Sequence, residues 1–381
     1  MQIALLSISL VLATSLSVSA VVPKWSSAFP NFSHSSIEIL VTGPSLAVIF
    51  LLFFTDELAD YFGTKKVLIT GLLIYGFFGT LPIIITNYWL LLFSRIMLGV
   101  GLGLINGLAV SLIGTFYDGE VKDRLMGFRS GFEMLGNAIC SYLAGFLLVI
   151  SNWHSIFLVY CIAFPICILV WKYLPEPEKN EAEPKISFIK KIKQISPDLI
   201  YLSIIIALYQ VTYVGSTVRI SEFVLQQHLG TVNDAAFIIS VAPFAGLIGG
   251  ILFSRIFKVF KKYIFAITLL ASGIGQMIVA NSKSFMMSAV GMFLITFLDT
   301  IFVSFILNQA NQIKNKNSIH FNTSILLVGS NVGIFIAPIL LGFITDIFNI
   351  SAPINSYLLC GYSLIICGFI SLLFVKRFNN K

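Results

Sequence analysis

Arg95, Glu133 and Asp299 are charged residues standing inside long apolar runs. Glu133 lies seven residues into the run 126–149, about 10 Å along a helix at about 1.5 Å per residue. A carboxylate there is costly while charged, which suits a group that takes up and releases protons. Arg129, one helical turn earlier, offers the alternative of a structural i, i+4 ion pair. Asp299 is a second proton-carrier candidate, with no cation near it in sequence. An arginine at the depth of Arg95 costs about 2.5–3.5 kcal/mol or more, so it must face the protein interior or reach back to the surface. Arg95 and Glu133 enter from opposite ends of their runs, leaving about 10 Å between them across a ~30 Å apolar layer, so direct pairing is not expected. Asn106, Asn137, Gln210, Gln276, Asn308 and Asn331 add uncharged hydrogen-bonding groups at intermediate depth. Such groups bind a guest molecule or join helices; Gln210 and Asn331 are the best placed for the first role, with Asn106 and Asn137 behind them.

This chemistry is proton exchange and hydrogen bonding, not covalent catalysis. The chain has no H-E-x-x-H and no G-x-S-x-G, and no cofactor signature or metal site is expected. Its five cysteines, Cys140, Cys161, Cys167, Cys360 and Cys367, all fall in apolar runs and lack zinc-ligand spacing. His34, His228 and His320 fall in loops or at a helix start and are assigned no role.

The elements that must hold these groups are membrane helices. Of 381 residues, 57% are apolar and 11% charged, with a mean hydropathy of +0.94. A soluble domain of this size cannot enclose so much apolar surface. The net charge of +7 is scattered over short loops and forms no basic face, which excludes a nucleic-acid partner. Breaking the apolar runs at charged, Gly/Pro and Asn clusters gives spans near 3–22, 37–55, 67–86, 90–113, 126–149 and 155–173, then 198–218, 235–255, 263–280, 285–308, 322–345 and 355–375. Residues 1–22 lack the basic start of a signal peptide and are read as the first span. With the N-terminus inside, about twenty Lys and Arg fall on the cytoplasmic side, against Lys24, Arg219 and Lys283 outside. Both termini are therefore expected in the cytoplasm.

The polar stretch 174–197 carries Pro175, Pro177 and Pro184 among acids and then a basic run. It is expected to link two bundles, 1–173 and 198–381, of six helices each. The halves echo one another: Gly136 and Gly145-Phe146 recur as Gly333 and Gly342-Phe343. An all-α, twelve-span membrane protein of two pseudo-symmetric halves, with a site between them, is the expected fold.

Two motifs sharpen this. Leu58-Ala59-Asp60-Tyr61-Phe62-Gly63-Thr64-Lys65-Lys66 is a charged turn between apolar runs, and Leu91 to Gly103 carries Arg95, Gly99, Gly101 and Gly103. The first resembles the G-x-L-A-D-R-x-G-R-K loop of major facilitator superfamily transporters, with Asp56, Tyr61 and Thr64 departing from it. The second resembles that superfamily's fourth-helix pattern L-x-x-x-R-x-x-x-G-x-G. Asn152-Trp153-His154 with Phe157, and Leu174-Pro175-Glu176, are similar to two further positions of the pattern. The resemblance implies that Asp60, with Gly63 and Lys65, gates the cytoplasmic ends of the halves, partnered by Arg124 and the residues 322–324. It also implies that Arg95 is tied to proton coupling and that the glycines pack helices closely. The fifth span, Gly131 to Asn137, departs from the G-x-x-x-G-P-x-x-G-G of drug/proton antiporters. Proton-coupled efflux of small, partly hydrophobic molecules by a monomer in a bacterial-type cytoplasmic membrane is the expected function. Uptake of a sugar or other metabolite is the alternative, and a membrane sensor or intramembrane enzyme a remote one.

Overall fold

The computed structural model describes residues 1–12, 14–177, 195–313, 319–347 and 353–374. Among these there are helices and turns but no strand. The helices are α1 (Gln2–Ser9), α2 (Val22–Ala28), α3 (His34–Thr42), α4 (Pro44–Phe62), α5 (Thr64–Thr80), α6 (Tyr88–Phe116), α7 (Gly119–Ile150) and α8 (Ala163–Tyr173). They continue as α9 (Pro197–Gln226), α10 (Val232–Phe260), α11 (Ile264–Ala280), α12 (Phe285–Gln312), α13 (Ile319–Ile347) and α14 (Pro353–Phe374). Ten helical stretches are long and apolar enough to cross a membrane, one more crossing is a bent pair, and α11 is a shorter apolar helix of 17 residues. Together they account for the twelve expected crossings. Most of the expected linker, residues 178–194, lies outside the described residues.

The first crossing is not the single helix expected over 3–22. It breaks after Ser9, bends by 41°, passes through the short turns Thr14–Leu16 and Ser19–Val21, and ends at Ala28. Ser7, Ser9, Thr14, Ser15, Ser17 and Ser19 crowd this stretch, and hydroxyls that bond nearby carbonyls compete with the helix ladder. Thr14 Oγ1 donates to Val11 O at 2.7 Å and Ser19 Oγ to Leu16 O at 2.5 Å. The second crossing is also interrupted, at Gly43-Pro44, where proline cannot donate to the helix before it.

The two halves repeat the same packing. α4 lies on α6 as α10 lies on α12, α5 on α8 as α11 on α14, and α1 on α7 as α9 on α13. The glycine echo explains itself here. A methyl group on Gly136 would strike the Leu10 backbone, and one on Gly333 would strike the Ala207 backbone, each pair 197 positions from its copy. Gly145 faces Ala236, and Gly342 faces Ser35. The second set joins the halves through two matching seams, α7 on α10 and α13 on α3 and α4. Bulky residues such as Phe146, Phe343, Trp171 and Phe369 stand exposed on the rim, the side that faces lipid.

Candidate functional site

Asp60 does not sit in an open turn as expected. α4 continues through it to Phe62, and the reversal is confined to Gly63, whose φ of 96° is open to glycine and costly for other residues. α5 then begins at Thr64, and its exposed amino end is capped from a distance: both carboxylate oxygens of Glu176 accept from the Lys65 backbone N–H at 3.3 Å. The Pro-Glu that follows the sixth span thus fastens the end of that span to the charged hairpin. Asp60 and Arg124 are exposed at this end of the bundle.

The fourth-helix motif is a packing device with a donor at its head. Gly99 lets α6 press against the Pro44 backbone, Gly103 accommodates Leu51 and Val48 of α4, and Gly101 faces Tyr75 and Gly71 of α5. Arg95 is 1% exposed, so it faces the interior and does not snorkel. Its Nε donates to Leu40 O at 2.8 Å, one Nη to Ser15 O at 2.9 Å, and the other to the Tyr160 hydroxyl at 2.7 Å. No carboxylate lies within ion-pair distance of it among the described residues. Glu133 is half-buried and lies 3.7 Å from Arg129, the i, i+4 geometry of a structural pair.

A small central cavity of about 20 Å³, room for about one water molecule, opens where the halves meet. Leu16 of the broken first crossing, Asn137 of α7, Tyr213 and Thr217 of α9, Pro243 of α10 and Thr296 of α12 line it. Asn137 holds its place by accepting from Ser17 Oγ at 3.1 Å and Ser141 Oγ at 3.3 Å. Gln210 lies one turn before Tyr213 on α9, and Asp299 one turn after Thr296 on α12, so both continue the lined faces. Gln210 Nε2 donates to Asp299 Oδ1 at 3.2 Å. The structure therefore joins two residues that were expected separately, one for substrate and one for protons. Asp299 has no ion-pair partner among the described residues.

Of the remaining polar groups, Asn331 donates back to Leu327 O of its own helix at 2.9 Å. Gln276 is fully buried against Ser216 Oγ and Thr212 O. Asn106 is half-buried on α6, away from the cavity lining.

The end opposite the Asp60 hairpin carries a feature that sequence reasoning missed. Arg219, expected in an outer loop, lies inside α9 and is buried; its Nε and one Nη donate to the two Glu38 oxygens of α3 at 2.7 and 2.9 Å, and the other Nη to Ser356 of α14. His34, assigned no role from sequence, lies 3.4 Å from Glu222 one turn further along α9. The only available signal was Glu38, a lone acid in an otherwise uncharged run, because its partner is 181 positions away.

A two-halved bundle of membrane helices, with a cavity at the seam and a buried ion pair joining the halves at one end, is the architecture of an alternating-access carrier. The chain belongs to the Major Facilitator Superfamily, whose model matches residues 3–321. It is 28% identical over 130 residues to a methylenomycin A resistance protein of Bacillus subtilis, covering 34% of this chain and 28% of that protein. It is 27% identical over 152 residues to the cephamycin export protein CmcT of Amycolatopsis lactamdurans, covering 39% and 31%. The chain thus spans about a third of the length of the curated relatives it matches. A solved D-xylose-proton symporter superposes over 97% of this chain and 95% of its own with a TM-score of 0.75 at 14% identity, a likeness of fold.

Proposed function

We propose that the protein is a proton-coupled exporter of small, partly hydrophobic organic molecules, working as a monomer in a bacterial-type cytoplasmic membrane with both termini inside. Residues 1–173 and 198–381 rock about the central cavity, and 174–197 link them. The observation that carries this reading is Asp299 beside the cavity. Its carboxylate has a neutral amide for its partner, so a proton or a positively charged guest must balance it in a low-polarity interior. Glu133 is the weaker candidate because Arg129 already balances it. Leu16, Pro243 and Met292 give the cavity apolar walls, and Asn137, Tyr213, Thr217 and Thr296 orient the guest. The relatives named for antibiotic resistance and export favour the outward direction. Asp60, Gly63, Lys65 and Arg124 act as the gate at the hairpin end.

Uptake of a sugar or other metabolite is the second reading, favoured by the hydroxyl-bearing wall that α9 and α12 present. The deciding experiment loads proteoliposomes with a pH indicator and adds a panel of amphipathic antibiotics and sugars. Alkalinisation or acidification linked to an antibiotic, and lost in Asp299→Asn, supports export. A response to sugars alone selects uptake, and no linked proton movement with any substrate that is transported overturns proton coupling.

A further inference from the structure

Arg95 binds two carbonyls that lack helical donors. In a continuous helix Leu40 O would accept from the N–H of residue 44, but residue 44 is proline. Arg95 Nε fills that place. Ser15 lies in the three-residue turn Thr14–Leu16, too short to give its carbonyl an α-helical partner, and an Arg95 Nη fills that place. The Thr14 hydroxyl of the same turn is fastened to the Tyr75 hydroxyl of α5. The next two residues reach the cavity: Leu16 lines it, and Ser17 holds the lining residue Asn137. One buried guanidinium therefore ties the break in the first crossing to the break in the second, and the first break forms a cavity wall.

We propose that Arg95 is a positioning residue for the binding cavity, fixing the wall formed by Leu16, Ser17 and Asn137 through the Ser15 carbonyl. The planar fork is what the site uses, since it reaches carbonyls on two different segments and a phenol at once. A lysine in its place keeps the charge but cannot span all three acceptors. The wide separation of its acceptors also explains why the residue is an arginine with no acid beside it among the described residues: two of its partners are freed main-chain carbonyls, which carry the partial charge of broken helix ends. This inference rests on the cavity being the transport site.

The test needs neither substrate nor proton gradient, so a failure of the transport reading leaves its outcome legible. The full chain, with its five native cysteines replaced, is placed in lipid nanodiscs, and maleimide labelling rates are measured at Leu16→Cys and, on the opposite wall, at Thr217→Cys. Arg95→Met is expected to change labelling at position 16 by about tenfold, equivalent to about 1.4 kcal/mol, with position 217 within about twofold of its parent. Arg95→Lys is expected to lie between, and Ser17→Ala to change position 16 in the same direction as Arg95→Met. Should Arg95→Met fail to fold, Arg95→Lys and Ser17→Ala decide alone. Unchanged labelling at position 16 in the folded variants overturns the proposal, and so does an equal change at 16 and 217, which reports a whole-bundle opening.

Discussion

Glu38→Gln is the sharpest probe of how the halves are held together. The Glu38 carboxylate is 3% exposed and Arg219 6%, and the fork between them joins α3 in one half to α9 in the other. Opening this end must part the pair. Removing one charge of such a buried pair leaves the other uncompensated and costs about 3–5 kcal/mol. That penalty falls on the closed arrangement alone, because an opened Arg219 is hydrated. The ratio of open to closed forms at this end should therefore rise by about a hundredfold to a few thousandfold. Spin labels at the exposed positions Asn31→Cys and Gln227→Cys, one in each half, read the separation directly. A single short-distance population is expected in the parent and a dominant long one in Glu38→Gln. Glu38→Gln combined with Arg219→Gln should fall between them, since it removes both charges. An unchanged distance distribution in a folded Glu38→Gln protein would refute the argument, as would a double variant more open than the single.

Other expected outcomes follow from the same geometry. Asp299→Asn should abolish substrate-linked proton movement while retaining binding of a neutral substrate, read by equilibrium binding and by an internal pH indicator; Glu133→Gln should retain coupled transport, because its pair with Arg129 is structural. Gly99→Val should lower thermal stability by about 1–3 kcal/mol or prevent folding, because the added carbons meet the Pro44 backbone, which cannot yield. Glu176→Gln should loosen the hairpin end by about 1 kcal/mol through loss of a charged cap on α5, seen as faster hydrogen exchange at Lys65 and Lys66; protection equal to the parent would show that the cap contributes nothing.

The sequence by itself determined the crossings, the repeat and which charged groups stand among apolar neighbours, though not that Arg219 is buried. Each of these is a local property: an apolar run long enough for a bilayer, a glycine spaced for close approach, a charge with apolar neighbours. The Arg95 and Gly99 spacing was legible for the same reason, since both lie on one face of one helix. Arg129 and Glu133 likewise had their partnership written four residues apart. Only the tertiary structure decided the rest. Gln210 meets Asp299 across 89 positions, and Glu38 meets Arg219 across 181. Asp299 is marked out by the neutral partner it receives, and no pattern along the chain records which face of α12 turns toward α9. The break in the first crossing was hidden because apolar residues satisfy the membrane whether or not the helix is continuous. It became visible only with Arg95, a donor 80 positions away that takes up the Ser15 carbonyl the break sets free.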